Sequence, residues 1–151
     1  MNTIRMIGNS LQSLFLLLIR LYWGYQFAIT GIGKFINLDS IVHYFQSLHI
    51  PFPFANAILA GSVETLGGVC LFLGLFSRIA AIPLFALLLT ALFSADFDAV
   101  SALYTHFDAD PFFKSTPALF IYAVLIIFIF GPGKYSLDYW LTRSYKKKEM
   151  P

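Results

Sequence analysis

The chain has 151 residues, enough for one domain, and 58% of them are hydrophobic while only 12% are charged. Soluble globular domains contain about 45–50% apolar and about 25% charged residues, so this composition excludes a soluble enzyme and a disordered chain and indicates a membrane protein. The net charge of +2 includes a lysine run at 146–148, and the sequence lacks the basic stripe typical of nucleic-acid binding. The single cysteine, Cys70, excludes an intrachain disulfide and a CxxC dithiol.

We interpret four apolar segments as helices that cross a bilayer, whose hydrocarbon core of about 30 Å requires about 20 residues. We therefore predict an all-α fold, an integral membrane four-helix bundle. A single transmembrane domain covers 1–151 and ends in a basic cytoplasmic tail at 142–151. The predicted helices cover about 11–35, 54–76, 79–95 and 117–130.

The basic residues cluster on one side of these predicted helices. Arg5 precedes the first helix, Arg78 lies in the second connection, and Lys134 and the lysine run follow the fourth helix. The two other loops are mainly acidic, so the positive-inside rule places both termini in the cytoplasm. Because Arg20 interrupts the apolar stretch and no Ala-x-Ala site follows, we expect the N-terminal segment to be a retained helix rather than a cleaved signal peptide.

Two short segments outside the spans have the pattern of helices that lie in the membrane interface. Residues 39–48, in the first outer loop, place apolar side chains on one helical face and are followed by prolines. Residues 136–141, after the fourth helix, combine aromatic side chains with lysines that follow them. We predict a short interfacial helix at each place.

Arg20 and Glu64 lie inside the first and second predicted helices, where a charge costs at least ~2.5 kcal/mol unless it finds a partner. Counting residues from the helix ends places both charges near the midplane of the bilayer. Small residues share the face of each charge, which favours close packing of the two helices. We therefore predict a buried Arg20–Glu64 ion pair. It serves either to lock the helices together or to exchange a proton and bind a quinone-like or anionic head group.

Other polar residues give weaker signals. Lys34 either lines the outer end of the same cleft or extends to the interface, as lysines at helix ends commonly do. A metal ion at His106, Asp108 and Asp110 would match no common ligand spacing, so we predict no metal site. Arg78 is most simply a positive-inside anchor.

The charged positions belong to a longer pattern, through which the sequence resembles the DoxX family of small four-helix bacterial membrane proteins over 14–141. The pattern consists of RLxxGxxFxxxGxxK over 20–34, IPxP over 50–53, LAGxxExxGG over 59–68, LGLxxR over 73–78 and GPGKYSLD over 131–138. The resemblance implies a bundle in the bacterial inner membrane. It also implies a link to redox processes, because relatives include a membrane subunit of a thiosulfate:quinone oxidoreductase and a component of an oxidative-stress complex.

Distant members of the same family act as receptor-assembly chaperones, so the resemblance does not fix an activity. The resemblance identifies four charged residues of this chain as positions of the family pattern, without assigning them a role: Arg20, Lys34, Glu64 and Arg78. One function that remains open is a quinone-linked redox subunit. In it Glu64 and Arg20 are catalytic, and Arg20, Glu64, Lys34 and Tyr22 bind the quinone.

A quinone-linked subunit would need a partner redox protein to supply electrons, because the chain has no dithiol, haem ligands or flavin motif of its own. The alternative is a non-enzymatic membrane adaptor or assembly scaffold that holds a partner protein. For either function we expect contact with the lipid bilayer, a protein partner or a homodimer, and no nucleic acid. A transporter is disfavoured because no Gly-Pro-interrupted helix occurs at mid-membrane.

Overall fold

The computed structural model describes residues 2–105 and 107–141, with side chains at 11–102, 104–105 and 107–141. Within these ranges the chain is helical and contains no strand. The helices are α1 (Asn2–Ile36), α2 (Leu38–Ser47), α3 (Pro53–Leu73), α4 (Ser77–Ala95), α5 (Phe97–Thr105), α6 (Asp110–Lys114) and α7 (Thr116–Phe130). A further helical segment begins at residue 137 and continues to residue 141.

Helices α1, α3, α4 and α7 correspond to the four predicted apolar segments. α3 ends at Leu73, earlier than predicted, because Gly74 adopts a left-handed conformation with a φ of 72°. The amides of Gly74 and Leu75 donate to carbonyls of the preceding turn at 3.1 and 2.9 Å, which is the Schellman arrangement that closes a helix C-terminus. The chain then turns at Phe76, and α4 begins at Ser77.

Within the described ranges, three helices are long and apolar enough to span a membrane: Leu11–Ile36 within α1, α3 and α4. α7 is more apolar than these three but has 15 residues, about 22 Å of helix, which is shorter than a bilayer core of about 30 Å. The chain is therefore a helical membrane protein. The fourth crossing and the cytoplasmic placement of both termini stay predictions, and the basic tail at 142–151 lies outside the described residues.

The connections contain short helices. α2 confirms the helix predicted at 39–48, and the helical residues 137–141 agree with the one predicted after the fourth apolar segment. α5 and α6 occupy the connection at 96–115, for which we predicted no helix. Each has an aspartate in its first turn, Asp98 and Asp110, where a negative charge complements the helix dipole.

The core lies where α3, α4 and α7 meet, with α1 packed along α3. Leu71, Leu84 and Ile127 are completely buried in this core. Phe27 of α1 joins them, and its ring meets the ring of Phe120 edge-on, with the ring centroids 4.7 Å apart. This cluster holds α1 against both α3 and α7, and so fixes where the charged side chains of α1 can reach.

Candidate functional site

α1 and α3 approach so closely that backbone meets backbone at their glycines. A Cβ atom added to Gly24 would lie 2.5 Å from the Phe72 amide nitrogen, and one added to Gly31 would lie 2.5 Å from the Thr65 amide nitrogen. These contacts confirm that small residues form the packing faces. They also fix an antiparallel register, because a later position on α1 meets an earlier position on α3. Arg20, one turn before Gly24, therefore lies beside the C-terminal end of α3.

Arg20 is buried, with 1% of its surface exposed, and its guanidinium group donates to backbone carbonyls of two different segments. Nε donates to Leu71 at 3.0 Å and Nη2 donates to Phe72 at 3.4 Å, both near the C-terminus of α3. Nη1 donates to Pro132 and, at 3.3 Å, to Tyr135, both after α7. A positive charge suits the carbonyl groups at a helix C-terminus, where the helix dipole is negative. Arg20 therefore caps α3 and ties it to the segment after α7.

Gly74 and Asp138 complete the surroundings of Arg20. A Cβ atom on Gly74 would collide with the guanidinium group, so both the left-handed φ and the available space require glycine there. The Asp138 amide donates to the Gly74 carbonyl at 3.0 Å. Its carboxylate accepts hydrogen bonds from the amides of Phe76 at 2.8 Å and Ser77 at 3.2 Å, at the start of α4. The segment after α7 thus closes the end of α3 and the beginning of α4.

Glu64 lies in the middle of α3 and pairs with Lys34, in the last turn of α1. Glu64 Oε2 lies 2.5 Å from Lys34 Nζ, and the two side chains are 9% and 21% exposed. The predicted Arg20–Glu64 ion pair is therefore wrong. Leu71 and Phe72, which bind Arg20, follow Glu64 by about two turns of α3, or about 10–12 Å.

The error came from counting depth from assumed helix ends, whereas the glycine contacts set the register of α1 against α3. One signal in the sequence was available: Lys34 lies on the same helical face as Arg20 and Gly31, four turns after Arg20. Because this face of α1 packs against α3, the sequence pattern allows either Arg20 or Lys34 as the partner of Glu64. The structure selects Lys34.

Tyr22, predicted to bind the quinone, and the neighbouring aromatic residues Trp23 and Phe27 lie apart from the Lys34–Glu64 pair. Tyr22 is 58% exposed and lies about 18 Å along α1 from Lys34. The Trp23 and Phe27 rings pack edge-on against Phe120 of α7, with centroids 4.8 and 4.7 Å away. No single pocket therefore joins these side chains to Arg20 and Glu64, and Tyr22 as a ligand contact stays a prediction.

The connection at 96–115, which we call the acidic connection, contains a second ion pair. Lys114 Nζ lies 2.8 Å from Asp110 Oδ2, and both side chains are exposed. The hydrogen bond from Lys114 lowers the pKa of Asp110, and the same bond raises the pKa of Lys114. His106 lies outside the described residues. Among the side chains that the structure describes, no three metal-ligating groups come together.

A groove of about 430 Å³ lies at the same end of the bundle as Arg20, and sequence analysis missed it. It forms where α1, the start of α4 and the segment after α7 meet. Its lining includes Gln12, Leu16, Arg78, Phe130, Lys134 and Asp138. No periodicity in the sequence indicates such a groove, because its walls come from three distant parts of the chain.

The sequence model of the DoxX family matches residues 15–96, more than half of the chain. The chain belongs to the DoxX family. It is 30% identical over 140 residues to "Inner membrane protein YphA" of Escherichia coli (strain K12), covering 91% of this chain and 99% of that protein. It is 38% identical over 73 residues to "Putative oxidoreductase CatD" of Bacillus subtilis (strain 168), covering 48% of this chain and about half (52%) of that relative. No solved structure matches.

The matched DoxX segment contains the four pattern positions that the resemblance carried over: Arg20, Lys34, Glu64 and Arg78. In the structure these four residues form two groups. Lys34, in the last turn of α1, pairs with Glu64, in the middle of α3, whereas Arg20 and Arg78 both bind backbone carbonyls at one end of the bundle. The DoxX segment therefore contains one pair of titratable side chains and two arginines that contact helix ends.

Proposed function

We propose that this DoxX-family protein is a membrane subunit of a redox system, in which Lys34 and Glu64 form a polar site for a quinone-class molecule. The observation that carries the proposal is their 2.5 Å contact between two helices that are long and apolar enough to span the membrane. The lysine and glutamate side chains remain 21% and 9% exposed, so the pair is partly accessible. Charges within membrane-spanning helices are costly, and in membrane proteins they commonly mark ligand or proton paths.

The pair has the groups needed to bind and protonate a quinone. The Lys34 ammonium donates a hydrogen bond to a carbonyl oxygen of the quinone. The Glu64 carboxylate relays the two protons of quinol formation from water to the quinone oxygens. A partner protein with its own redox centre supplies the electrons. Arg20, predicted as catalytic, acts here as a positioning residue, because it holds the end of α3 and thereby the placement of Glu64 against α1. Tyr22 is retained as a candidate contact for the ligand's tail.

The relatives support this setting through their names, one of which refers to an oxidoreductase and the other to the inner membrane. We extend both to this chain and place it in the bacterial inner membrane, with α7 as the fourth crossing and both termini in the cytoplasm. A green fluorescent protein fused after residue 151 should then fluoresce, and alkaline phosphatase fused there should be inactive. The reverse pattern would overturn the orientation.

The contacts of Arg20 favour a second candidate, a non-enzymatic scaffold for a partner protein. Its guanidinium group is bound by carbonyls of α3 and of the segment after α7, which is an architectural use of a membrane charge. If Lys34 and Glu64 serve the same purpose, the whole bundle is a rigid platform without a ligand of its own.

Quinone binding separates the two candidates. The full chain is purified in mild detergent, extracted quinones are quantified by mass spectrometry, and binding of decylubiquinone is titrated. The redox subunit predicts near-stoichiometric quinone in the wild type and a loss of about tenfold or more in affinity for Glu64→Gln. Asp110→Asn is the matched control, since it removes another lysine-paired carboxylate, and it should bind as the wild type does. Folded wild type without quinone or decylubiquinone binding would overturn the redox proposal and leave the scaffold.

A further inference from the structure

The groove described above has the composition of a binding site for an anionic amphiphile. Its charged lining comprises Arg78 from α4, Lys134 from the segment after α7, and Asp138. The two Asp138 carboxylate oxygens already accept hydrogen bonds from the amides of Phe76 and Ser77. These bonds stabilise the carboxylate without removing its charge, so the groove lining has two positive charges and one negative charge and is basic on balance.

Arg78 and Lys134 both have N–H groups that can donate hydrogen bonds to a ligand. Arg78 is exposed, and its contact with the Ile129 carbonyl, at 3.4 Å, uses one of the five N–H groups of its guanidinium. Lys134 is also exposed. A guanidinium and an ammonium on one groove match the oxygens of a phosphate, which an arginine fork can bind in bidentate fashion.

The backbone of the segment after α7 is shaped to bring these groups together. Gly131 and Gly133 both have positive φ values, 76° and 75°. A Cβ atom on Gly131 would lie 3.2 Å from Arg78 Nη2, and one on Gly133 would lie 3.4 Å from the Leu16 Cβ atom. The glycines therefore let the chain pass against both the arginine and the apolar wall of the groove.

The groove also has an apolar side, and it lies where the apolar part of α7 ends. Leu16, 3% exposed, forms part of its wall, and Phe130, the last residue of α7, and Tyr139 remain partly open to the surroundings at 56% and 45% exposure. A site that is basic at its polar end and apolar toward the membrane suits a molecule with an anionic head and acyl chains. Basic pockets between membrane helices bind lipid head groups in this way.

We propose that this groove binds the phosphate head group of an anionic membrane phospholipid, held by Arg78 and Lys134. The site is separate from the Lys34–Glu64 pair, so its occupation is independent of the function proposed above. The same phosphate chemistry is present in free inorganic phosphate, and the lipid is preferred because the groove continues onto apolar side chains.

The test measures thermal stability of the full chain in non-ionic detergent during titration with dioleoylphosphatidylglycerol, dioleoylphosphatidylcholine or inorganic phosphate. We expect a saturable rise in melting temperature with phosphatidylglycerol alone. Lys134→Gln should raise the half-saturating concentration about tenfold, the usual effect of losing one charged hydrogen bond. Lys114→Gln, at an exposed lysine of α6 outside the groove, is the matched control and should leave the half-saturating concentration unchanged.

Arg78→Gln should weaken the lipid effect in the same way. If that variant is poorly folded because the contact with Ile129 is lost, Lys134→Gln still decides the outcome. Equal stabilisation by phosphatidylcholine, or a Lys134→Gln curve that overlays the wild type, would overturn the proposal. Inorganic phosphate that protects at the same concentrations as the lipid would overturn the assignment to a lipid.

Discussion

Arg20 and Glu64 lie on opposite sides of one helix interface, but their charges are stabilised in different ways. Arg20 is almost completely buried and donates to backbone carbonyls, which do not titrate. Glu64 pairs with the side chain of Lys34, so its charge is balanced by another side chain rather than by the backbone. A charge bound by backbone dipoles fixes geometry, whereas a pair of titratable side chains can also exchange protons or accept a ligand. We therefore treat Arg20 as architectural and Lys34–Glu64 as the functional candidate.

The largest expected effect comes from removing the architectural charge. Arg20→Leu removes the donor to the Phe72 carbonyl and to two carbonyls of the segment after α7, and such losses cost about 3 kcal/mol or more in a buried site. The Leu71 carbonyl keeps the Gly74 amide as a donor. The melting temperature in detergent, followed by tryptophan fluorescence, should fall by about 6–12 °C. Arg20→Lys keeps the charge but loses the planar fork, so its loss should be intermediate. A Leu variant as stable as the wild type would show that the carbonyl contacts are dispensable.

A smaller effect is expected where the register of α1 against α3 is set. Gly24→Ala places a Cβ atom 2.5 Å from the Phe72 amide nitrogen, a backbone atom that cannot move alone, and should cost about 1–3 kcal/mol. Gly33→Ala is the matched control, because a Cβ atom there meets nothing within 4 Å. That variant should melt at or slightly above the wild-type temperature, since alanine favours the helix. Equal losses in both variants would contradict the glycine contact as the origin of the register.

The coupling free energy between Lys34 and Glu64 should be smaller than the loss of stability expected for Arg20→Leu or Gly24→Ala. A double-mutant cycle with Lys34→Gln and Glu64→Gln should give a coupling of about 1 kcal/mol, above the median for exposed pairs because this pair is mostly buried. The same cycle on Asp110 and Lys114 should give no measurable coupling, since both side chains are exposed. If Lys34 and Glu64 prove uncoupled in stability and the Gln variants still lose quinone binding, the distinction between architectural and functional charges becomes sharper.

The smallest effect concerns pH in the acidic connection. The hydrogen bond from Lys114 lowers the pKa of Asp110, so any stabilisation is present above the unfolded-state pKa and is lost as the pH falls through the folded-state pKa. Because the pair is fully exposed, the melting temperature should not change measurably between the wild type and Lys114→Gln at pH 7. Carboxyl carbon NMR should instead show the Asp110 titration midpoint rising toward its ordinary value in Lys114→Gln. An unchanged midpoint would mean that the pair does not persist in solution.

The helices predicted correctly are those that a local pattern of apolar residues determines. The apolar segments 11–35, 54–76 and 79–95 are long, and the structure contains a helix at each. Leu11–Ile36, α3 and α4 have the length and hydropathy to span a membrane. The helix at 39–48 was likewise evident from its apolar face. The early end of α3 depends on the left-handed Gly74, which a pattern of hydrophobicity does not reveal.

The candidate site was predicted in its residues but not in its pairing. Buried charges are visible in a sequence because they interrupt apolar runs, so Arg20 and Glu64 were identified. Their partners depend on the register of two helices, and that register follows from close contacts at Gly24 and Gly31. The carbonyl acceptors of Arg20 cannot be predicted from residue types, since every residue has a backbone carbonyl group.

The position of the Arg20 acceptors along the chain has a consequence for biosynthesis. Leu71 and Phe72 emerge soon after α1, but Pro132 and Tyr135 are added more than a hundred residues after Arg20. During translation the guanidinium group therefore lacks these two acceptors until residues 132–135 have been synthesised. A nascent chain arrested before residue 132 lacks the late acceptors, and such a chain should be a preferred target for membrane quality-control proteases.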